Sequence, residues 1–126
     1  LEYNDTSYRN CMNNRTKAIW EHAKLNGVDF RAVGNEPGWY LEIRNGDTIL
    51  FVGDYGNFRY KFVTPEPLTN QLERRTIYRT KANGKSLTVI IEGRQCRDTM
   101  SGESFGATVS VTLDQNTYLG CGRALH

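Results

Sequence analysis

Three carboxylates, two histidines, three cysteines and a few arginines carry whatever chemistry this chain can do, and most of them fall in two compact strings. The first is Val33-Gly34-Asn35-Glu36-Pro37-Gly38-Trp39. The second is Cys96-Arg97-Asp98-Thr99-Met100-Ser101-Gly102, followed by Glu103-Ser104 and echoed by Gly120-Cys121-Gly122-Arg123. Glycosidic cleavage would need two of Glu36, Asp98 and Glu103 held about 5–9 Å apart across a scissile bond. Surface acids in local turn roles are the plainer account of all three. A Ser-His-Asp arrangement needs a base beside a glycine-flanked nucleophile. His22 lies in a helix-like segment and His126 is the last residue given, so neither meets that requirement. A zinc site is disfavoured by the two histidines and by the lack of any C-x-x-C spacing. No metal, cofactor or catalytic residue is therefore expected, and the chain reads as a binding domain rather than an enzyme.

Glu36 precedes a proline, which forces it out of the helical region and projects it from the turn. Asn35 tolerates left-handed backbone or caps the turn with its side chain. Two readings follow: a binding loop with Glu36 as its acid, or a structural turn that aims Trp39 into the core. The 97–104 stretch is longer than a minimal turn needs, and long loops in small domains often carry function. It either contacts a ligand or protein, or packs Met100 over one end of the fold while Asp98 or Ser101 caps amides. The candidate binding residues are Asn35, Glu36, Trp39, Arg97, Asp98, Ser101, Glu103 and Ser104.

Cys96 and Cys121 sit in similar glycine- and arginine-flanked settings and are expected to pair. Closing that loop stabilises by about 3 kcal/mol on the chain-entropy argument. Cys11 is then odd, which in an oxidising compartment points to a partner elsewhere. The alternative is three buried thiols in a reducing one. The net charge of +2 is too mild for a nucleic-acid face. Arg74-Arg75 is the densest basic spot and reads as a solvated strand flank. No apolar run approaches the ~20 residues of a membrane span, and Leu1-Glu2-Tyr3-Asn4-Asp5 is charged and polar, unlike a signal peptide, so any targeting segment is expected to have been removed or to lie upstream.

The elements that must position these residues follow from periodicity. Residues 1–12 read as a linker or the tail of a preceding domain, and 13–126 as one helix-plus-β domain. Asn13 to Thr16 offers an N-cap, and Lys17 to Leu25 a short amphipathic helix. Thr16, Ile19, Trp20 and Ala23 share its apolar face, Lys17 and Glu21 can pair, and Asn26-Gly27 stops it. The period then changes to two. Strands are expected over 30–33, 39–44 with Trp39, Leu41 and Ile43 on one face, 48–52, 58–62, 75–81 with Ile77 inward, 87–92, 108–113 and 117–121. Asn45-Gly46 predicts a type I′ hairpin turn and Asn83-Gly84 a second hairpin. Pro65-Glu66-Pro67 ends one strand, and a polar loop fills 93–106. About seven evenly spaced strands predict a mainly β fold, a small antiparallel barrel or sandwich, with a meandering barrel preferred because closure removes edges. The aromatic positions Phe58, Tyr60 and Phe62 would line its interior. That leaves room for the alternative of a periplasmic small-molecule or cell-wall-fragment binding barrel.

Phe30-Arg31-Ala32-Val33-Gly34-Asn35-Glu36-Pro37-Gly38-Trp39, Cys96-Arg97-Asp98-Thr99-Met100-Ser101-Gly102 and Gly120-Cys121-Gly122, in that order, resemble a bacterial envelope lipoprotein domain. The likeness runs from about residue 11 to 125. In that family the domain often follows an inhibitor domain of the membrane-bound C-type lysozyme inhibitor (MliC) class, and Tyr8-Arg9-Asn10-Cys11 looks like the tail of such a domain. The resemblance implies a periplasmic or outer-membrane location, attachment only through an upstream lipid anchor, and lysozyme or another envelope protein as partner. It also implies that the partner of Cys11 lies upstream. The inhibitor's own loop combines serine with a basic residue, whereas Ser101 to Gly106 here carries Glu103.

Overall fold

The computed structural model describes residues 18–35, 37–98 and 101–126. A helix (α1) spans 18–25 and eleven strands follow: β1 (Phe30–Gly34), β2 (Trp39–Ile43), β3 (Thr48–Gly53), β4 (Phe58–Val63), β5 (Leu68–Asn70), β6 (Arg75–Ala82), β7 (Lys85–Glu92), β8 (Cys96–Arg97), β9 (Ser104–Phe105), β10 (Ala107–Leu113) and β11 (Asn116–Ala124). Nine of them form one antiparallel sheet in the order β4-β3-β2-β1-β11-β10-β7-β6-β5, and β8 pairs with β9. The mainly β, antiparallel expectation holds, as a half-barrel. The sheet curls until Thr80 Oγ1 on β6 donates to the Val63 carbonyl on β4 at 3.3 Å. Tyr78 Oη, also on β6, donates to Asn45 Oδ1 in the β2–β3 turn at 2.9 Å.

Alternation builds the core. Ala32, Trp39, Leu41, Ile43, Ile49, Phe51, Phe62, Tyr78, Leu87, Val89, Val109, Val111 and Leu113 face inward and bury one another. Phe51 is the hub of the aromatic packing, 5.2 Å from Tyr118 and 5.8 Å from both Trp39 and Phe58 between ring centroids. Such pairs add to burial through their edge and face charges. Two glycines permit this arrangement. A Cβ on Gly34 would collide with the Trp39 indole, and one on Gly120 with the Val33 carbonyl.

The count of about seven strands is corrected to eleven. The stretch expected as a polar loop over 93–106 contains the β8–β9 hairpin. The short β5, after Pro67, had too few residues to show a period. The last strand runs through Ala124, because Gly122, Arg123 and Ala124 pair with Ala32, Arg31 and Phe30 of β1. Ile77 is not the inward residue of β6. Tyr78 pairs with Val89 on the core face, and Ile77 pairs with Ile90 on the other. Both faces of this ribbon carry apolar side chains, so alternation alone could not choose between them. Asn83 and Gly84 both have positive φ (51° and 78°), as a type I′ turn requires, whereas in Asn45-Gly46 only Gly46 does (72°). The first turn closes instead through Asp47 N–H to Arg44 O at 3.0 Å and Arg44 N–H to Thr48 O at 2.9 Å.

Helix α1 ends as expected. Val28 N–H bonds the Ala23 carbonyl at 3.0 Å and Gly27 N–H the Lys24 carbonyl at 3.1 Å, with Gly27 at φ 84°. This is the Schellman arrangement, which glycine adopts at least cost. Trp20 and Ala23 are buried, but Ile19 is about half exposed. A helix of about two turns against the outer face of the sheet covers a narrower stripe than the sequence offers. The expected cap at Asn13 to Thr16, the Lys17–Glu21 pair, Cys11 and the boundary at residue 12 lie outside the described residues.

Candidate functional site

The two sequence strings meet at one end of the sheet. Asn35 follows β1, and Asp98 follows β8. Asn35 Nδ2 donates to Asp98 Oδ1 at 2.6 Å. Ser101 Oγ donates to Asp98 Oδ2 at 2.8 Å and accepts the Glu103 amide at 3.1 Å. The backbone of the same loop closes through Gly102 N–H to Asp98 O at 2.7 Å and Asp98 N–H to Glu103 O at 2.9 Å. The sequence explains this local order. Asp and Ser are short side chains that satisfy nearby amides, and Gly102 takes φ 74°.

The disulfide anchors the assembly. Cys96 and Cys121 are bonded, with Cα atoms 5.5 Å apart. The β8–β9 hairpin is thereby fixed to β11 beside β1. A second small core backs it, made of Trp20, Phe105 and Cys121 with Val33, Cys96 and Leu125 against them. A disulfide of this kind belongs to an oxidising compartment. Among the described residues no helix is long and apolar enough to cross a membrane.

Sequence reasoning missed the two arginines that hold this second core. Arg31 is buried, 3.2 Å from Glu42, with its guanidinium 4.9 Å from both the Trp20 and Tyr40 rings. Arg123 pairs with Glu103 at 3.2 Å and lies 4.7 Å from the Phe105 ring and 5.2 Å from Trp20. Arg31 and Arg123 are opposite one another on β1 and β11. Cation–π contact lets each stay charged while its neighbours are apolar. The available signal was their position: each stands on the face of its strand that carries Val33 and Cys121.

The expected site residues therefore separate. Asn35, Asp98 and Ser101 form one hydrogen-bonded cluster. Arg97 is exposed and has no side-chain partner among the described residues. Glu103 turns to Arg123, and the Ser104 carbonyl accepts from the same guanidinium at 3.4 Å. Trp39 is buried in the core and lends the site only part of a wall. Glu36 and Met100 lie outside the described residues. Two shallow depressions flank the cluster. One of about 280 Å³ is lined by Asn35, Arg97, Asp98 and Leu119 among others, and one of about 410 Å³ by Asn35, Pro37, Trp39 and Tyr118. Leu119 belongs to both and is 69% exposed. The cluster offers a rigid polar rim around an exposed apolar side chain. Among the described residues no group of three or more His, Cys, Asp or Glu side chains is placed to hold a metal ion.

No family model matches this chain, and neither a curated protein nor a solved structure is significantly similar to it.

Proposed function

We propose that this chain is a non-enzymatic binding domain of the bacterial cell envelope, and that the rim of Asn35, Arg97, Asp98, Ser101 and Leu119 is its contact surface for a protein partner. The observation that supports this most directly is the Asn35–Asp98 hydrogen bond, which locks two loops 63 positions apart into one surface. Asp98 and Glu103 accept from fixed donors, which suits positioning better than proton transfer. Leu119 ends an apolar row on the outer face. It is paired through Ser110 to Ile90, Ile77 and Leu68 on successive strands. An apolar centre with a polar rim is the ordinary anatomy of a protein contact. The inward side chains fill the middle of the half-barrel, which disfavours a ligand enclosed there.

The sequence resemblance makes a C-type lysozyme the first partner to test. Calorimetric titration of lysozyme into the domain should give a saturable complex, and excess domain should slow bacteriolysis. Arg97→Glu and Leu119→Asp should each weaken the complex by about ten-fold or more, the loss of a central contact. No complex, with bacteriolysis unchanged at excess domain, would remove lysozyme as the partner.

A further inference from the structure

At the opposite ends of β1 and β11 from the rim, the half-barrel is open. Tyr78 and Thr80 close the curl against Asn45 and Val63. Towards its start β6 has no β4 residue across from it. The inner face there borders a cleft of about 610 Å³ whose apolar floor includes Phe30, Ile91 and Ala107. Its wall includes the β5–β6 turn with Arg74 and Arg75. Clefts of this size with an apolar floor and a few polar groups are the usual form of a small-molecule site.

Arg74 is the feature that the fold does not need. It sits at φ 54°, a left-handed conformation that glycine or asparagine adopts with less strain. Its guanidinium lies over Gly93, where an added Cβ would be 3.0 Å from Nε and 3.2 Å from an Nη. Arg75 is ion-paired with Glu73 at 3.3 Å and Glu92 at 3.1 Å, and Arg123 with Glu103. Arg74 has no acidic partner among the described residues. Among the described residues the one carboxylate that lines the cleft, Asp29, already accepts the Asn45 amide at 2.7 Å. His126 also lines it and bonds through Nε2 to the Lys24 carbonyl at 3.1 Å. A left-handed arginine with no acid beside it among the described residues, set over an apolar floor, calls for an anion with an apolar body.

We propose that this cleft binds a small amphiphilic carboxylate, its headgroup on the Arg74 guanidinium and its apolar part on Phe30, Ile91 and Ala107. Guanidinium–carboxylate pairing is forked and charge-assisted, and it is strongest where the site is partly desolvated. This site is independent of the partner surface at the other end of the sheet.

Dodecanoate is a suitable probe, with dodecanol as its uncharged counterpart. Titration calorimetry should show saturable dodecanoate binding, and amide chemical shifts should move at Arg74, Ile91 and Ala107. Arg74→Gly keeps the left-handed backbone and removes the charge, so the variant should be at least as thermostable as the parent. It should bind dodecanoate about ten-fold more weakly or worse, leave the weaker binding of dodecanol unchanged, and leave any lysozyme complex unaffected. Gly93→Val, which displaces the guanidinium, should act in the same direction. The proposal is overturned by no saturable binding to the parent, by shifts confined to other parts of the sheet, or by equal dodecanoate affinity in parent and Arg74→Gly.

Discussion

Asn35 and Asp98 are joined side chain to side chain at 2.6 Å, although neither belongs to a strand of the main sheet. The bond ties the end of β1 to the tip of a hairpin that is also held by the Cys96–Cys121 disulfide, by Arg123 on Glu103 and the Ser104 carbonyl, and by the packing of Phe105. Its removal should loosen the loop without unfolding the sheet. Asn35→Ala should cost about 1 kcal/mol in urea denaturation, the usual net worth of one hydrogen bond. Amide exchange at Gly102 and Glu103 should rise, while exchange in β7 and β10 stays unchanged. A double-mutant cycle with Asp98→Ala that shows no coupling would count against the contact.

Gly120 is where close packing leaves no room for a side chain. An added Cβ would meet the backbone carbonyl of Val33, which cannot swing aside as a long side chain would. Gly120→Ala should destabilise by about 1–3 kcal/mol, the ordinary range for overpacking, or by more. Gly106 has nothing within 4 Å of such a Cβ and an ordinary φ, so Gly106→Ala should be neutral or slightly stabilising. Thermal denaturation of the two variants side by side checks the contrast.

Reduction of Cys96–Cys121 should lower stability by about 3 kcal/mol, given the 25-residue separation. The β8–β9 hairpin should detach first, because its other tethers are few. Melting with and without reductant, followed by Trp20 fluorescence, should show an early change near the hairpin ahead of the main transition.

Arg31 is a buried charge held by one acid and two rings. Arg31→Ala leaves Glu42 without its guanidinium partner and opens space beside Trp20, and should cost about 3 kcal/mol. Arg31→Lys keeps the charge but loses the planar stack, so its cost should fall between zero and that value. Chevron or equilibrium denaturation of the pair measures both.

The pH dependence has two arms of opposite sign. Hydrogen bonds from Arg75 and then Arg94 hold Glu92 below its ordinary value of 4.5, and the Ser86 amide and then Lys85 hold Asp114 below 3.8. A depressed carboxylate contributes stability above its unfolded value and loses it as pH falls through the folded one. Melting temperature should therefore fall with acidification below about pH 4.5, and less steeply in Glu92→Gln. Burial, and then the charge of Asp29, raise the Tyr78 phenol above 10.0. Its contribution is complete below pH 10 and is lost as pH rises further. Tyr78→Phe should flatten that alkaline arm, which pH-dependent melting above pH 9 can follow.

The sequence by itself determined the local structure. Alternation placed Trp39, Leu41 and Ile43 on one face and Val109, Val111 and Leu113 on another, because a strand has a period of two whatever it packs against. Gly27, Asn83-Gly84 and the proline pair at 65 and 67 set their boundaries through backbone sterics alone. The cysteine pair was legible from its flanking residues. Tertiary structure decided the rest. Which of Ile77 and Tyr78 faces the core depends on register against β7, and both candidates are apolar. The burial of Arg31, and the packing of Arg123 on the same indole, depend on a helix docking over the outer face, which no local pattern announces. The meeting of Asn35 with Asp98 follows from the disulfide that fixes the β8–β9 hairpin to β11 beside β1, and the cleft beside Arg74 exists because nine strands curl. That curl is a sum of small twists and side-chain contacts between residues far apart in the chain, and it is absent from any window of sequence short enough to carry a period.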